Sequence, residues 1–170
     1  RQMCIRDRAE IDSIEKSADG RLKIMDFSNT DEIFSSQLAA SKNQYRDAID
    51  MLYALGPSPC LSGFAYETRV KSLQLKIDFL DVYSAMYEND LKAGNIFYTT
   101  TPQFRTGLVE VMDEYENIRQ RILFLQVLGR DIDRTLLDPQ FTGTIGTVRG
   151  ELDMMLDSVD AKMSFLMEYR

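Results

Sequence analysis

The sequence predicts an all-α fold, an antiparallel up-down-up-down four-helix bundle that is preceded by a short N-terminal helix and an extended lead-in. Apolar residues recur at alternating spacings of four and three, the period of coiled coils and helical bundles. Glycine and proline are few, nine and four in 170 residues, and they lie mostly between the periodic segments. The connections are short, so we expect neighbouring helices to run antiparallel.

The first eight residues read RQMCIRDR. They resemble the translated adaptor sequence found at the ends of assembled metagenomic genes. We therefore interpret residues 1–8 as non-native and exclude them from the fold prediction. The native termini would then be missing, so a soluble protein of the cytoplasm or of the periplasm fits the sequence equally well.

The N-terminal segment is predicted to hold one short helix. Ile11, Ile14 and Ala18 share a helix face, and the Asp19-Gly20 pair is typical of a helix end. Apolar and polar residues then alternate weakly over 20–28. We expect this stretch to be an extended lead-in to the bundle.

Four longer periodic segments follow, at about 30–55, 65–93, 102–137 and 144–170. Gly56, Gly94 and the Asp138-Pro139 pair are the expected ends of the first three. Gly129 leaves two alternatives for the third helix, which either continues to residue 137 or breaks at the glycine.

The third segment carries the longest uninterrupted stripe, which predicts a packing seam. Its members are Phe104, Leu108, Val111, Tyr115, Ile118, Ile122, Leu125, Gly129 and Ile132. Residues 122–128 read ILFLQVL, apolar on all sides, and we expect them to be covered from several directions.

The second segment has two apolar stripes on nearly opposite faces, which predicts partners on two sides. The additional stripe consists of Leu75, Phe79, Val82 and Met86. We expect it to be covered either by the N-terminal segment, through Ile11, Ile14, Leu22, Ile24 and Phe27, or by a second molecule. These four residues are therefore a candidate protein interface.

The amino-acid composition excludes some classes of function and disfavours others. The chain has no histidine, which excludes histidine-based acid–base catalysis and the common zinc, haem and Glu-x-x-His di-iron ligand sets. The net charge is −7, which disfavours nucleic acid and anionic membranes as partners. No apolar run approaches the length of a membrane span. No catalytic or cofactor-binding motif is present, and a small-molecule ligand cannot be named from the sequence.

Two carboxylate pairs offer an enzymatic alternative. Asp47 and Asp50 lie three residues apart on the first long helix, and Asp78 and Asp81 have the same spacing on the second. Two such pairs on adjacent helices could hold Mg²⁺. In outline the arrangement resembles the all-α nucleotide pyrophosphohydrolases, whose helices carry Glu-x-x-Glu and Glu-x-x-Asp motifs.

The functional prediction is therefore a non-enzymatic helical-bundle module. It would serve as a scaffold, as a protein-interaction domain or as the ligand-sensing domain of a larger receptor. The alternative is a magnesium-dependent hydrolase of nucleotides that uses the four aspartates.

Overall fold

The computed structural model describes residues 2–25, 32–57, 63–135 and 139–170, and these residues form five α-helices. The helices are α1 (Gln2–Ile24), α2 (Glu32–Leu55), α3 (Gly63–Ile96), α4 (Thr101–Thr135) and α5 (Pro139–Met167). The part of the chain described here contains no strand. The all-α prediction is confirmed.

Each helix packs on the next one along the chain, and α5 also contacts α3 and α1. Leucine, isoleucine and valine side chains from all five helices form one shared core. Burial of this apolar surface is the main source of the stability of such an assembly. Among the described residues, no helix combines the length and apolarity that crossing a membrane requires.

The prediction for the N-terminal segment is wrong, because α1 is one helix of 23 residues that runs through Asp19 and Gly20. It includes most of residues 1–8, where Ile5 is 66% exposed. The lead-in predicted for residues 20–28 is helical through residue 24, and residues 26–28 lie outside the described residues. A β-carbon at Gly20 would meet no atom within 4 Å, so the glycine costs the helix only its propensity, about 1 kcal/mol.

The buried stripe of α1 includes one acidic residue, and a second buried acidic residue lies beside the stripe. The positions of the stripe are 11, 15, 18, 22 and 25, all of them buried, and their spacing alternates between four and three. Position 15 is a glutamate, and the neighbouring buried position 19 is an aspartate. Acidic residues at these positions hide the helical period from a search for apolar residues.

Several helix ends differ from the prediction. The first long helix ends as expected, since Gly56 has φ +65° and its N–H donates to the carbonyl of Leu52 at 2.9 Å. The expected start near residue 30 lies outside the described residues. Helix α3 extends past Gly94 to Ile96, and α4 continues through Gly129 without a break. The last helix begins at Pro139, five residues before the predicted start, because proline is well suited to a first helical position.

The α4 seam is buried as predicted from Leu108 to Ile132, while Phe104 at its start is partly buried. The expectation that residues 122–128 are covered from several directions holds only in part. Phe124 is 66% exposed and Val127 is 57% exposed.

Candidate functional site

A cluster of charged and polar side chains lies buried where α1, α2, α3 and α5 meet. We call it the ionic cluster, and its members are Asp12, Glu15, Asp19, Tyr45, Arg69, Lys76 and Thr144. Lys76 is fully buried and donates to Glu15 Oε1 at 2.8 Å and to Asp19 Oδ1 at 2.8 Å. Arg69 binds the other oxygen of Glu15 through Nε at 3.2 Å and Nη2 at 3.0 Å, and it also pairs with Asp12.

Two hydroxyl groups complete the ionic cluster around Asp19. The Tyr45 hydroxyl donates to Asp19 Oδ1 at 2.8 Å, and the Thr144 hydroxyl donates to Oδ2 at 3.0 Å. Burial, followed by the nearby carboxylate of Asp19, raises the pKa of Tyr45 far above its ordinary value, so this phenol stays protonated. Lys76 Nζ also lies 5.4 Å from the centre of the Tyr45 ring.

The ionic cluster connects α1 to α2, α3 and α5. All four carboxylate oxygens of Glu15 and Asp19 accept hydrogen bonds from groups on other helices. Each of these oxygens is already bonded to the protein, so none is left without a partner for a substrate to use. The cluster holds α1 in one position against α3 and α5, because a shifted helix would leave charges buried without partners.

An open pocket lies between the C-terminal part of α3, the middle of α4 and the C-terminal part of α5. We call it the apolar pocket; its volume is about 470 Å³. Carbon atoms of Ala93, Phe97, Ala161, Phe165 and Leu166 form most of its wall. Both its size and its mainly apolar wall are typical of sites for small molecules.

Three polar side chains form one side of the apolar pocket, and each comes from a different helix. Asp90 of α3 accepts from the Tyr115 hydroxyl at 2.6 Å and from Lys162 Nζ at 2.6 Å. Burial, together with the hydrogen bond to Asp90, raises the pKa of Tyr115 well above its ordinary value. The phenol therefore remains a neutral hydrogen-bond donor, and the Asp90–Lys162 pair contributes no net charge.

Two residues that line the apolar pocket, Phe97 and Phe165, belong to a group of four packed aromatic rings, which we call the rim. Phe97 lies 5.5 Å from Phe104, 6.3 Å from Phe165 and 5.3 Å from Tyr169, measured between ring centres. Phe97 is 42% exposed, and Phe165 is 50% exposed. Aromatic rings in tilted or edge-on contact hold one another in place while their outer faces stay accessible.

The aspartates predicted as metal ligands do not lie together in a metal-binding group. Asp47 and Asp50 are exposed on α2. Asp81 pairs with Lys42, and Asp78 accepts from Gln74 at 2.8 Å. Within the described ranges, no three acidic or cysteine side chains lie close enough to hold one metal ion.

The candidate interface on α3 is buried within the single chain. Leu75, Phe79 and Val82 have no exposed surface, and Met86 is 8% exposed. At Leu75 the cover is α4, since a β-carbon at Gly129 would lie 3.7 Å from Leu75 Cδ2. At Leu75 the cover is therefore neither the N-terminal segment nor a second molecule, the two alternatives that the sequence predicts. These four residues present no surface to a partner.

The polar residues of the apolar pocket were not among the predicted site residues. Tyr115 belongs to the predicted α4 seam, where a tyrosine is a common core residue. Lys162 lies on the last helix, where the apolar stripe drifts from its regular positions.

Comparisons of the chain with protein-family models, with curated proteins and with solved structures find no match. The functional proposal therefore depends on the geometry of the pocket.

Proposed function

We propose that this chain is a non-enzymatic helical module that binds a small, largely apolar molecule in the apolar pocket. In this proposal α2 to α5 form the up-down-up-down bundle that the sequence predicts. The ligand would lie between the C-terminal parts of α3 and α5 and the middle of α4. This is the ligand-sensing version of the predicted module. The single observation that supports the proposal is the polar group of Asp90, Tyr115 and Lys162 beside an apolar wall.

The wall and the polar group define the chemistry of the ligand. The wall favours an aromatic or aliphatic body that removes apolar surface from water. Asp90 and Lys162 neutralise each other, so a charged ligand would have to break a 2.6 Å ion pair. A neutral ligand with one hydroxyl or amide group can instead exchange hydrogen bonds with Lys162 and Asp90 at the edge of the pair.

The rim supports binding from solution. Phe97 and Phe165 are each about half exposed, and an entering ring can stack on either one. The ring contacts among Phe97, Phe104, Phe165 and Tyr169 order the rim before a ligand arrives. An ordered rim lowers the entropy cost of binding.

The test measures the binding of 2-naphthol by isothermal titration calorimetry. This neutral probe has two fused rings and one hydroxyl group. At about 0.4 kcal/mol for each of roughly eleven heavy atoms, a Kd near 1 mM is expected, as an order-of-magnitude value.

Two variants that add the same side chain make the test specific. Ala161→Phe should abolish binding, because Ala161 lines the pocket and is exposed enough to accept a ring. Ala54→Phe places the same ring on an exposed position of α2 and should leave binding unchanged. Equal binding by both variants, or no binding by the parent chain, would refute the proposal and favour the scaffold or protein-interaction versions.

A further inference from the structure

The three polar side chains of the apolar pocket differ in how many of their hydrogen bonds the protein itself provides. The Tyr115 hydroxyl donates its only proton to Asp90 Oδ1, and Lys162 Nζ donates to Asp90 Oδ2, both at 2.6 Å. An ammonium group carries three N–H donors. Among the described residues, Asp90 is the one acceptor that Lys162 contacts. Lys162 therefore keeps two N–H donors that have no protein partner.

A ligand in the pocket changes the surroundings of these donors. The side chain of Lys162 is 35% exposed and that of Asp90 is 31% exposed, so solvent reaches both while the pocket is open. An apolar body that fills the pocket removes water from that side. Each oxygen of Asp90 then still accepts one hydrogen bond from the protein. The N–H groups of Lys162 that face the pocket lose their partners, and an unsatisfied donor on a charged group costs free energy.

This difference between Lys162 and Asp90 determines which polar group on the ligand favours binding. A carbonyl or ether oxygen beside Lys162 accepts from the ammonium group and replaces the lost water. A ligand N–H beside Asp90 only adds a hydrogen bond to an oxygen that already has one, and it leaves the ammonium group unsatisfied. Tyr115 is 1% exposed and has already donated its proton. An acceptor on the ligand therefore contributes more to binding than a donor.

We propose that Lys162 determines the specificity of the apolar pocket, and that the ligand is a neutral apolar molecule with an accepting oxygen, as in an aromatic ketone. The inference rests on the proposed function, because it names the chemical class of the ligand for the same pocket. Tyr115 and Asp90 are positioning residues, since their hydrogen bonds hold the ammonium group at the pocket wall. Phe165 lies three residues after Lys162 on the same face of α5 and also lines the pocket, so a ring packed on it lies near the ammonium group.

The experiment compares two neutral probes with equal numbers of heavy atoms. Acetophenone has a carbonyl acceptor and no donor, whereas indole has an N–H donor and no accepting oxygen. Both Kd values are measured on the full chain by NMR from the methyl signal of Ala93, which lines the pocket. The parent chain should bind acetophenone about tenfold more tightly than indole, which corresponds to roughly 1.4 kcal/mol.

Substitutions of Lys162 test whether this residue causes the preference. Lys162→Met removes the donors and leaves Asp90 without its cationic partner, so the preference for acetophenone should be lost. Lys162→Arg keeps N–H donors at the position and should retain the preference. The matched control is Lys71→Met, which makes the same change at an exposed position of α3 outside the pocket and should bind both probes like the parent chain. Far-UV circular dichroism checks that each variant is folded.

The outcomes distinguish failure of this inference from failure of the proposed function. Similar Kd values for the two probes in the parent chain, or tighter binding of indole, would overturn the role of Lys162 while ligand binding in the pocket stands. This comparison needs no variant to fold. A preference that persists in Lys162→Met would overturn the role as well. If neither probe moves the Ala93 signal up to about 10 mM, above the millimolar Kd expected for ligands of this size, both proposals fail.

Discussion

Replacing Lys76 by methionine tests the ionic cluster, because it removes the ammonium group and keeps most of the apolar stem. Lys76 has no exposed surface and donates to both Glu15 and Asp19. In the variant, Glu15 still has Arg69, and Asp19 still has two hydroxyl donors. The two carboxylates stay buried, however, and lose the positive charge between them.

The structure sets the size of the expected loss. Removing one partner of a buried ion pair costs about 3 to 5 kcal/mol. The remaining donors favour the lower end, about 3 kcal/mol. In a domain of this size each kcal/mol lowers the Tm by about 2 to 4 °C, so we expect a decrease of roughly 6 to 12 °C.

The measurement is urea unfolding followed by far-UV circular dichroism. Lys42→Met is the matched control, since Lys42 also pairs with an aspartate on the neighbouring helix but its ion pair is partly exposed. That variant should lose about 1 kcal/mol or less. If Lys76→Met also costs less than about 1 kcal/mol, Lys76 is not held in a buried ion pair and the structural role of the cluster is refuted.

Three further predictions concern stability, measured by far-UV circular dichroism during urea unfolding or, for Mg²⁺, during thermal unfolding. Gly107→Ala should lower the free energy of unfolding by about 1 to 3 kcal/mol, because the new β-carbon would lie 2.8 Å from Ile96 Cγ2. Gly20→Ala should raise it by about 1 kcal/mol, because α1 is helical there and alanine favours a helix. The opposite order of the two variants would contradict the described packing. The free energy of unfolding should fall above about pH 10, because the unfolded chain then releases the Tyr45 proton that the native state retains. In Tyr45→Phe the decrease with pH should be less steep, by about 1.4 kcal/mol per pH unit. Millimolar Mg²⁺ should leave the Tm unchanged, and a clear rise would instead support the hydrolase alternative.

The sequence predicted the elements whose apolar pattern is uninterrupted. The α4 seam follows directly from the residues, because from Leu108 to Ile132 nearly every stripe position is apolar or aromatic. Helix α1 is longer than predicted because residues 1–8 are excluded from the prediction and Asp19-Gly20 is interpreted as a helix end, while the buried Glu15 and Asp19 interrupt its apolar pattern. Their burial depends on Arg69 and Lys76, which are more than fifty residues away in the chain. A local pattern carries no information about such a partner.

The candidate site was less predictable than the fold for the same reason. Asp90 and Lys162 are separated by 72 residues, and their contact exists only once α3 and α5 are packed together. In the sequence, Asp90 is one polar residue of a mixed helix. The predicted aspartate pairs, by contrast, were found through local spacing. Their spacing places two carboxylates on one helix but does not bring two helices' carboxylates to one point.

Methyl NMR of the alanine-labelled chain during a screen of neutral aromatic fragments is the most direct test of the apolar pocket. Ala93 and Ala161 line the pocket, so their methyl signals report binding there. We predict that the fragments that bind shift both signals in a saturable way, and that their effect on Ala93 is lost in Ala161→Phe. Fragments that shift other alanines and leave these two unchanged would contradict the assignment of this pocket as the ligand site.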